Sequence, residues 1–212
     1  MSTLPPEFFR RQDEEPDELF YAVPRPASHL DDAADAIVAG WYAELLPEGG
    51  AVLDLLAGAT SHLPARFDSV VGVGLDEDAL ARNPRLTERH RWDVNREPRL
   101  PLPDACLDGV VCTVSVQYLV RPVELFAEVG RCLRPGGPFL VAFSNRMFPS
   151  KAVLCWRVSD DAAHARLVRS YFDAADRFGP CVTRSFVPTG EGDPLYLVGA
   201  AVRTEPGDGR GR

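Results

Sequence analysis

The sequence predicts an α/β protein with a doubly wound, mostly parallel, Rossmann-like sheet of seven strands and an antiparallel C-terminal hairpin at one edge. Three observations support this prediction. Apolar runs such as AVLDLL at 51–56 are bounded by turn residues, as buried parallel strands are. Segments with helical spacing alternate with these runs, which favours parallel strands joined by crossovers. The last two runs, CVTRSFV and PLYLVGAAV, are joined by a Gly- and Pro-containing segment that suits a hairpin.

Length and composition indicate one globular domain. The chain has 212 residues, of which 45% are hydrophobic and 25% are charged, enough for a full hydrophobic core. The formal net charge of -8 disfavours a nucleic-acid partner, because phosphate binding needs clustered Lys and Arg. The sequence also lacks a bilayer-length apolar run and the apolar core of a signal peptide. We therefore expect a cytoplasmic protein with no membrane partner.

The cysteine pattern predicts neither a disulfide framework nor a metal site. The five cysteines are odd in number and include no CxxC pair. They are Cys106, Cys112, Cys132, Cys155 and Cys181. We expect them to be buried or half-buried free thiols.

The chain divides into an arm, a domain and a tail. Residues 1–27 are rich in Pro and acidic residues and predict an irregular arm, although its aromatic residues favour some folding back onto the domain. Residues 28–203 form the predicted domain. Residues 204–212, TEPGDGRGR, predict a disordered tail.

The first half of the domain begins with a predicted helix. Ser28 and Asp31 resemble a capping box, and apolar residues follow at helical spacing as far as Pro47. The central strand and a short polar segment come next. A second strand lies at 70–73, and a short helix over 77–83 is stopped by Pro84. A brief third strand is predicted in HRWDVN and ends at Asp93.

The second half continues the alternation of strands and helices. DGVVCTVSVQYL is a β-branched fourth strand that runs into a turn at 115–118. A helix begins near Pro122, which suits a first turn, and ends at Gly136-Gly137. GPFLVAFSN is the fifth strand, and a further helix is predicted over about 160–178.

Acidic residues follow three of the predicted strands. In a doubly wound sheet the ligand binds outside the carboxyl ends of the strands, where the strand order reverses. This rule brings Asp54, Asp76 and Asp93 to one cleft. Asp76 comes about twenty positions after Asp54, the offset at which an acid reaches a ribose hydroxyl. Gly58 is the one glycine of the turn after Asp54, which disfavours a pyrophosphate and favours a ligand with a positive or neutral group there.

Between about residues 50 and 155 the chain contains five characteristic stretches in order. They are VLDLLAGATSHLP, VVGVGLDEDAL, WDVNREPRLPLPDACLDGVVCTVSVQYL, PVELFAEVGRCLRPGG and PFLVAFSNRMFPSKAV. The most specific features are the LRPGG turn and the PDACLDGVV approach to the fourth strand. In this order and spacing the stretches resemble the class I S-adenosylmethionine-dependent methyltransferases, especially the small methyltransferase-domain (type 11-like) family.

The resemblance implies S-adenosyl-L-methionine as cofactor and a role for each matching position. It implies that the turn after the first strand cups the methionyl end of the cofactor. The acids after the second and third strands bind the ribose and the adenine amine, and the turn after the fourth strand borders the sulfonium. The implied cofactor residues are Asp54, Ala57, Gly58, His62, Asp76, Asp93, Val94, Thr113 and Ser115, with Gln117 as a further candidate. Where the family often has three alternating glycines, this chain has Leu56, Gly58 and Thr60.

The resemblance also implies in-line methyl transfer to a small-molecule acceptor. The acceptor pocket would come from the N-terminal arm and the loops 95–105 and 145–160. A general base is needed only when the acceptor must lose a proton. The candidates are His29 and Tyr118 for catalysis, and Tyr21, Asn145 and Arg146 for acceptor binding. Each also has a structural interpretation. His29 could be a helix-start histidine and Tyr118 a packing aromatic residue, and Asn145 and Arg146 could belong to a surface turn.

Two other functions stay open at this point. The first is a non-catalytic S-adenosylmethionine-binding or regulatory protein, which the depleted glycines and the lack of an obvious base favour. The second is a nicotinamide-dependent oxidoreductase, which the missing GxGxxG and the LRPGG turn disfavour.

Overall fold

A single seven-stranded sheet organises the protein. The computed structural model describes residues 5–22 and 30–204, and the sheet has the strand order β3-β2-β1-β4-β5-β7-β6. The strands are β1 (Ala51–Leu55), β2 (Ser69–Gly74), β3 (Glu88–Arg91), β4 (Gly109–Thr113), β5 (Pro138–Phe143), β6 (Val182–Phe186) and β7 (Leu195–Ala201). Strands β1 to β5 pair in parallel. Strand β7 pairs antiparallel with both β5 and β6. The predicted doubly wound sheet with an antiparallel C-terminal hairpin edge is confirmed.

The strand order places the reversal point beside β1. The chain first adds β2 and β3 on one side of β1 and then returns to add β4 and β5 on the other side. Ligands of such sheets bind at this point, outside the carboxyl ends of the strands. Those ends are Leu55 and Thr113.

Helices cover both faces of the sheet. They are α1 (Asp17–Tyr21), α2 (Asp32–Leu45), α3 (Glu77–Arg82), α4 (Pro122–Cys132), α5 (Leu154–Arg157) and α6 (Asp161–Ala175), and short 3-10 turns occupy Pro6–Phe9 and Val116–Tyr118. On one face, α2 buries Ala34, Val38 and Tyr42 at a spacing of four residues. On the other face, α4 and α6 pack Phe126 and Phe172 with ring centroids 4.8 Å apart. No helix among the described residues is long and apolar enough to span a membrane.

Several predicted boundaries are wrong. Helix α2 is capped by Asp31, whose side chain accepts a hydrogen bond from the Ala34 amide; Ser28 lies outside the described residues. Strand β3 is Glu88–Arg91 rather than 90–93, because its position is set by parallel pairing with β2 and its residues are largely exposed. Helix α6 ends at Ala175, since Asp176 adopts a left-handed conformation with φ of 52°. Strand β4, by contrast, ends at Thr113 and is followed by a 3-10 turn at Val116–Tyr118, as the predicted turn at 115–118 requires.

The N-terminal arm contains more regular structure than the sequence predicts. It forms a 3-10 turn and α1, and its aromatic residues fold back onto the domain. The Phe9 ring lies 6.2 Å from that of Tyr171, and the Phe20 ring lies 5.3 Å from that of Phe148. Most of the predicted tail, 205–212, lies outside the described residues, as do 23–29.

Candidate functional site

A cavity opens at the carboxyl ends of β1, β2 and β4. Its volume is about 210 Å³, and the arm forms part of its wall. All nine residues that the sequence implied in cofactor binding line this cavity, as do Tyr21 and Tyr118. Further lining residues that the sequence did not single out for a role there are Asp17, Leu30, Leu56, Ala59, Thr60, Gly74, Leu75, Ala79, Arg82, Asn95 and Val114. The geometric rule for doubly wound sheets thus collects the predicted positions at one place.

Asp54 places a buried carboxylate at the end of β1. Its side chain is 5% exposed, and burial raises its pKa to about 6, although a hydrogen bond from Ser61 and the charge of His62 act in the opposite direction. An ionised carboxylate in such a place is costly without a cationic partner. A ligand with an ammonium group would supply that partner. The amino-acid end of S-adenosylmethionine carries such a group and therefore fits this end of the cavity.

The turn after β1 is held in a strained conformation. Leu56 has φ of 61° and Val114, at the end of β4, has φ of 47°; this region is unfavourable for side chains with a Cβ, above all for a β-branched one. Hydrogen bonds fix both positions, from the Ala57 amide to the Val73 carbonyl (2.8 Å) and from the Val114 amide to the Ala142 carbonyl (2.8 Å). Strained backbone that the surrounding structure maintains is concentrated at functional sites.

Gly74, the last residue of β2, lets this turn approach the sheet. A Cβ at position 74 would lie 2.4 Å from the Ala57 carbonyl oxygen. We predict that Gly74→Ala displaces the turn, destabilises the protein by about 1–3 kcal/mol, and weakens S-adenosylhomocysteine binding by about tenfold or more. Calorimetry and thermal unfolding measure the two effects. Gly40→Ala is the control, because no atom lies within 4 Å of a Cβ there; unchanged binding in Gly74→Ala would contradict the prediction.

Asp76 and Asp93 are oriented by backbone amides. Asp76 caps α3, and its Oδ1 accepts a hydrogen bond from the Ala79 amide at 2.9 Å. Asp93 Oδ1 accepts from the amides of Asn95 (3.0 Å) and Arg96 (3.2 Å). Each carboxylate is therefore fixed at the cavity through one oxygen, and the other oxygen is the atom that could accept a hydrogen bond from a ligand.

The end of β4 carries hydroxyl groups with defined partners. The Thr113 Oγ1 lies 2.7 Å from the Tyr42 hydroxyl, and the Ser115 hydroxyl donates to the Thr113 carbonyl at 2.9 Å. Burial raises the pKa of Tyr42 well above its ordinary value, so Tyr42 stays protonated. This side of the cavity presents neutral hydrogen-bonding groups.

The arm is joined to the cavity wall by a buried ionic network. Arg11 donates two hydrogen bonds to Asp17 (2.6 and 2.8 Å), and Asn95 donates a third at 3.0 Å. Burial raises the pKa of Asp17, but these hydrogen bonds outweigh that effect and hold the pKa below its usual value. Asn95 also donates to the Tyr118 carbonyl at 3.0 Å. Asp17 and Asn95 thereby fix the arm beside the turn that follows β4.

Aromatic side chains form the arm side of the cavity. The Tyr118 hydroxyl accepts a hydrogen bond from the Phe148 amide at 2.9 Å, and the two rings stack at 6.1 Å. The Phe20 ring lies edge-on to that of Tyr21, with centroids 5.3 Å apart. Burial raises the pKa of Tyr118, so its hydroxyl can donate a hydrogen bond but is poorly suited to remove a proton at neutral pH.

Two residues predicted to bind the acceptor, Asn145 and Arg146, are not among the residues that line the cavity. Arg146 forms an ion pair with buried Asp193, with its Nε 2.6 Å from Oδ1, and Asn145 is exposed. His29 lies outside the described residues. Gln117 is buried and its Nε2 donates to the carbonyls of Val114 and Arg146, so it supports the turn after β4.

Comparison with known proteins agrees with this geometry. Residues 53–141 match the model of a methyltransferase domain family. The chain is 29% identical over 119 residues to the biotin biosynthesis bifunctional protein BioHC of Teredinibacter turnerae, covering 56% of this chain and 18% of that protein. It is 39% identical over 82 residues to a probable S-adenosylmethionine-dependent methyltransferase of Mycolicibacterium smegmatis, covering 37% of this chain and 30% of that protein. The matches thus span less than a third of these relatives' lengths.

The fold is also found in solved structures. The crystal structure of an S-adenosylmethionine-dependent methyltransferase from Mesorhizobium loti superposes with a TM-score of 0.55 at 19% identity, covering 77% of this chain and 97% of that one. At this identity the solved structure shows that the two proteins share a fold. The family match therefore identifies a stretch similar to methyltransferase domains over residues 53–141, and the cofactor and activity of the whole protein are proposed below.

Proposed function

We propose that the protein transfers a methyl group from S-adenosylmethionine to a small-molecule acceptor by in-line displacement. The observation that carries this proposal is the cavity itself, whose one side is formed by acidic strand ends and whose other side is formed by the arm. The cofactor supplies a methyl group already activated on a sulfonium. The chain therefore mainly has to bind it, align the acceptor and exclude water.

Each side of the cavity has a separate role in this proposal. Asp54, Asp76 and Asp93 bind the cofactor. The other residues proposed to contact it are Ala57, Gly58, His62, Val94, Thr113 and Ser115. Tyr21 and Tyr118 contact the acceptor, because they line the cavity on the arm side. A small acceptor is proposed because Asp17 and Tyr21 of the arm line the same cavity as the strand ends. A cytoplasmic location and the lack of a nucleic-acid partner stay predictions from composition.

Calorimetric titration with S-adenosylhomocysteine tests cofactor binding. We predict micromolar affinity for the wild type and binding weaker by about tenfold to 150-fold for Asp76→Ser, since a hydrogen bond to a charged group contributes about 1.5–3 kcal/mol. Serine can still cap α3, so this variant removes the carboxylate and keeps the helix start. Asp78→Ser on the exposed side of α3 is the matched control. Binding of a nicotinamide cofactor instead would contradict the proposal.

One observation favours a second candidate function, cofactor binding without catalysis. The turn after β1 has a strained leucine, Leu56, where the resemblance implies a glycine, and the proposal assigns Asp54, Asp76 and Asp93 to the cofactor rather than to proton removal. Transfer of label from methyl-labelled S-adenosylmethionine to the small-molecule fraction of a cell extract separates the two functions. Label in that fraction supports methyl transfer, and cofactor binding with no transfer supports the second candidate.

A further inference from the structure

Asn95 connects three parts of the cavity wall through hydrogen bonds that use every donor of its side chain. Its Nδ2 donates to Oδ2 of Asp17 in α1 and to the Tyr118 carbonyl, at 3.0 Å each. Its Oδ1 accepts from the Val120 amide at 2.9 Å, and its own backbone amide donates to Asp93 Oδ1 at 3.0 Å. Because a side-chain amide has two N–H donors and one carbonyl acceptor, these partners fix its orientation. Asn95 therefore links the arm to the turn after β3 and to the turn after β4.

The seam between α1 and the turn after β3 is poorly filled. A second cavity of about 330 Å³ lies there and shares Asp17, Asp93 and Asn95 with the cavity at the strand ends. An ion pair between Glu18 and Arg91 also crosses the seam, but its atoms are 3.8 Å apart and both side chains are about half exposed. Such a pair contributes little to stability. The hydrogen bond from Asn95 to the buried Asp17 carboxylate is therefore the main attachment of α1 on this side.

The rest of the arm is attached to a different part of the domain. The Leu154 amide donates to the Arg10 carbonyl at 2.8 Å, and the buried Lys151 Nζ lies 2.7 Å from the Glu15 carbonyl. Lys151 also reaches α1, with its Nζ 3.2 Å from Asp17 Oδ1. Segments with few buried apolar contacts open at a lower free energy than the rest of a protein. We therefore expect α1 to leave its seam more easily than residues 10–15 leave the domain.

The turn after β3 is also where the proposed function puts the adenine of the cofactor. Asp93 and Val94 line the cavity there, and the amides of Asn95 and Arg96 already occupy Asp93 Oδ1. A ligand on the other oxygen of Asp93 and against Val94 restrains this turn, and Asn95 with it. Ligand binding that orders a segment lowers the entropy cost of a second association with that segment. The ligand and α1 should therefore favour each other to the same extent.

We propose that Asn95 is a positioning residue that couples cofactor binding to the docking of α1. The inference rests on the proposed function, because it requires the cofactor to bind beside Asp93. Bound cofactor holds Asn95 where its Nδ2 meets Asp17, and docked α1 contributes Tyr21 to the cavity wall. The acceptor side of the cavity is thus completed once the cofactor is in place. The order of binding is cofactor first and acceptor second.

Two measurements on opposite sides of this coupling test the inference. Chymotryptic cleavage at Phe20 and Tyr21 reports on the docking of α1, and we expect saturating S-adenosylhomocysteine to slow it by about fivefold or more in the wild type. By reciprocity, Lys151→Met, which loosens α1, should weaken calorimetric binding of this ligand by about fivefold. Lys151 is not among the residues that line the cavity, so this loss does not come from a lost contact with the ligand.

Asn95→Asp separates the positioning role from a purely structural one. A carboxylate at position 95 can still accept the hydrogen bond from the Val120 amide, but it cannot donate to Asp17 and repels it. We expect about fivefold weaker binding of S-adenosylhomocysteine, cleavage in α1 that the ligand no longer slows, and less than about twofold further loss of affinity when Lys151→Met is added. Losses that multiply in the double variant would show that the two residues act independently and would overturn the inference.

Glu18→Gln is the matched control, because it removes the exposed ion pair at the same seam and should keep wild-type affinity and protection. Wild-type cleavage in α1 that bound ligand does not slow would also overturn the inference, whether or not Asn95→Asp folds, and would leave the proposed function standing. A wild-type protein that does not bind S-adenosylhomocysteine would overturn both.

Discussion

Asp54→Asn is expected to raise the free energy of unfolding at about pH 7.5 by up to about 3 kcal/mol and to abolish measurable binding of S-adenosylhomocysteine. Burial raises the pKa of Asp54 from 3.8 to about 6, and each pKa unit corresponds to about 1.4 kcal/mol. The folded state holds this proton more tightly than the unfolded state. The stabilisation that this proton gives to the folded state is fully present below about pH 4 and is lost as the pH rises to about 6 and above. An amide at position 54 avoids that loss, but it cannot balance a ligand ammonium.

Denaturant unfolding of both proteins at two pH values measures this effect. The advantage of Asp54→Asn should shrink from about 3 kcal/mol at about pH 7.5 to about 1 kcal/mol at about pH 4.5. Comparing the two proteins cancels the pH dependence of the other carboxylates. Asp173→Asn, on the exposed side of α6, is the control and should change stability by less than about 0.5 kcal/mol. A destabilised Asp54→Asn protein, or one that binds like the wild type, would refute the assignment.

Lys151→Met is expected to lower the free energy of unfolding by about 3 kcal/mol and to release the N-terminal arm. Lys151 is 2% exposed, and its Nζ lies 3.1 Å from Asp13 Oδ2, 3.2 Å from Asp17 Oδ1 and 2.7 Å from the Glu15 carbonyl. Removing one partner of a buried ion pair leaves the other charge poorly compensated, which costs about 3–5 kcal/mol. Asp17 retains Arg11 and Asn95, so we expect the lower end of this range.

Limited proteolysis and chemical unfolding measure the two parts of this prediction. Cleavage near Arg10 and Arg11 should become faster in Lys151→Met, because the arm loses the contacts that bind it to the domain. The control is Arg203→Met, since the ion pair of Arg203 with Asp176 is exposed and should contribute less than about 1 kcal/mol. If Lys151→Met leaves both the cleavage rate and the stability unchanged, the network does not hold the arm.

The fold and the position of the site could be predicted because they follow from patterns along the chain. Apolar runs with small turns identify the parallel strands, and the topology then requires that the residues after β1, β2 and β4 meet. This is why Asp54, Asp76 and Thr113 line one cavity although they lie in or after different strands. The edge strand β3 was misplaced because its residues are mostly exposed and its register depends on pairing with β2.

The arm side of the site could not be predicted, because its contacts join distant parts of the chain. Asp17 meets Lys151 and Asn95 through the folded structure alone, and the acidic arm gives no local signal for a buried carboxylate. Arg146 follows a strand end, as a ligand-binding residue would. Strand β5, however, lies beyond β4 from the reversal point, and Asp193 binds the guanidinium.

A crystal structure of the protein with S-adenosylhomocysteine tests the central claim most directly, namely that the acidic strand ends form one adenosine-binding cavity. We expect the ammonium of the ligand to lie against Asp54, its ribose against Asp76 and its adenine beside Asp93 and Val94. Ligand bound elsewhere on the protein, or a cavity that stays closed by its own side chains at saturating ligand, would contradict it.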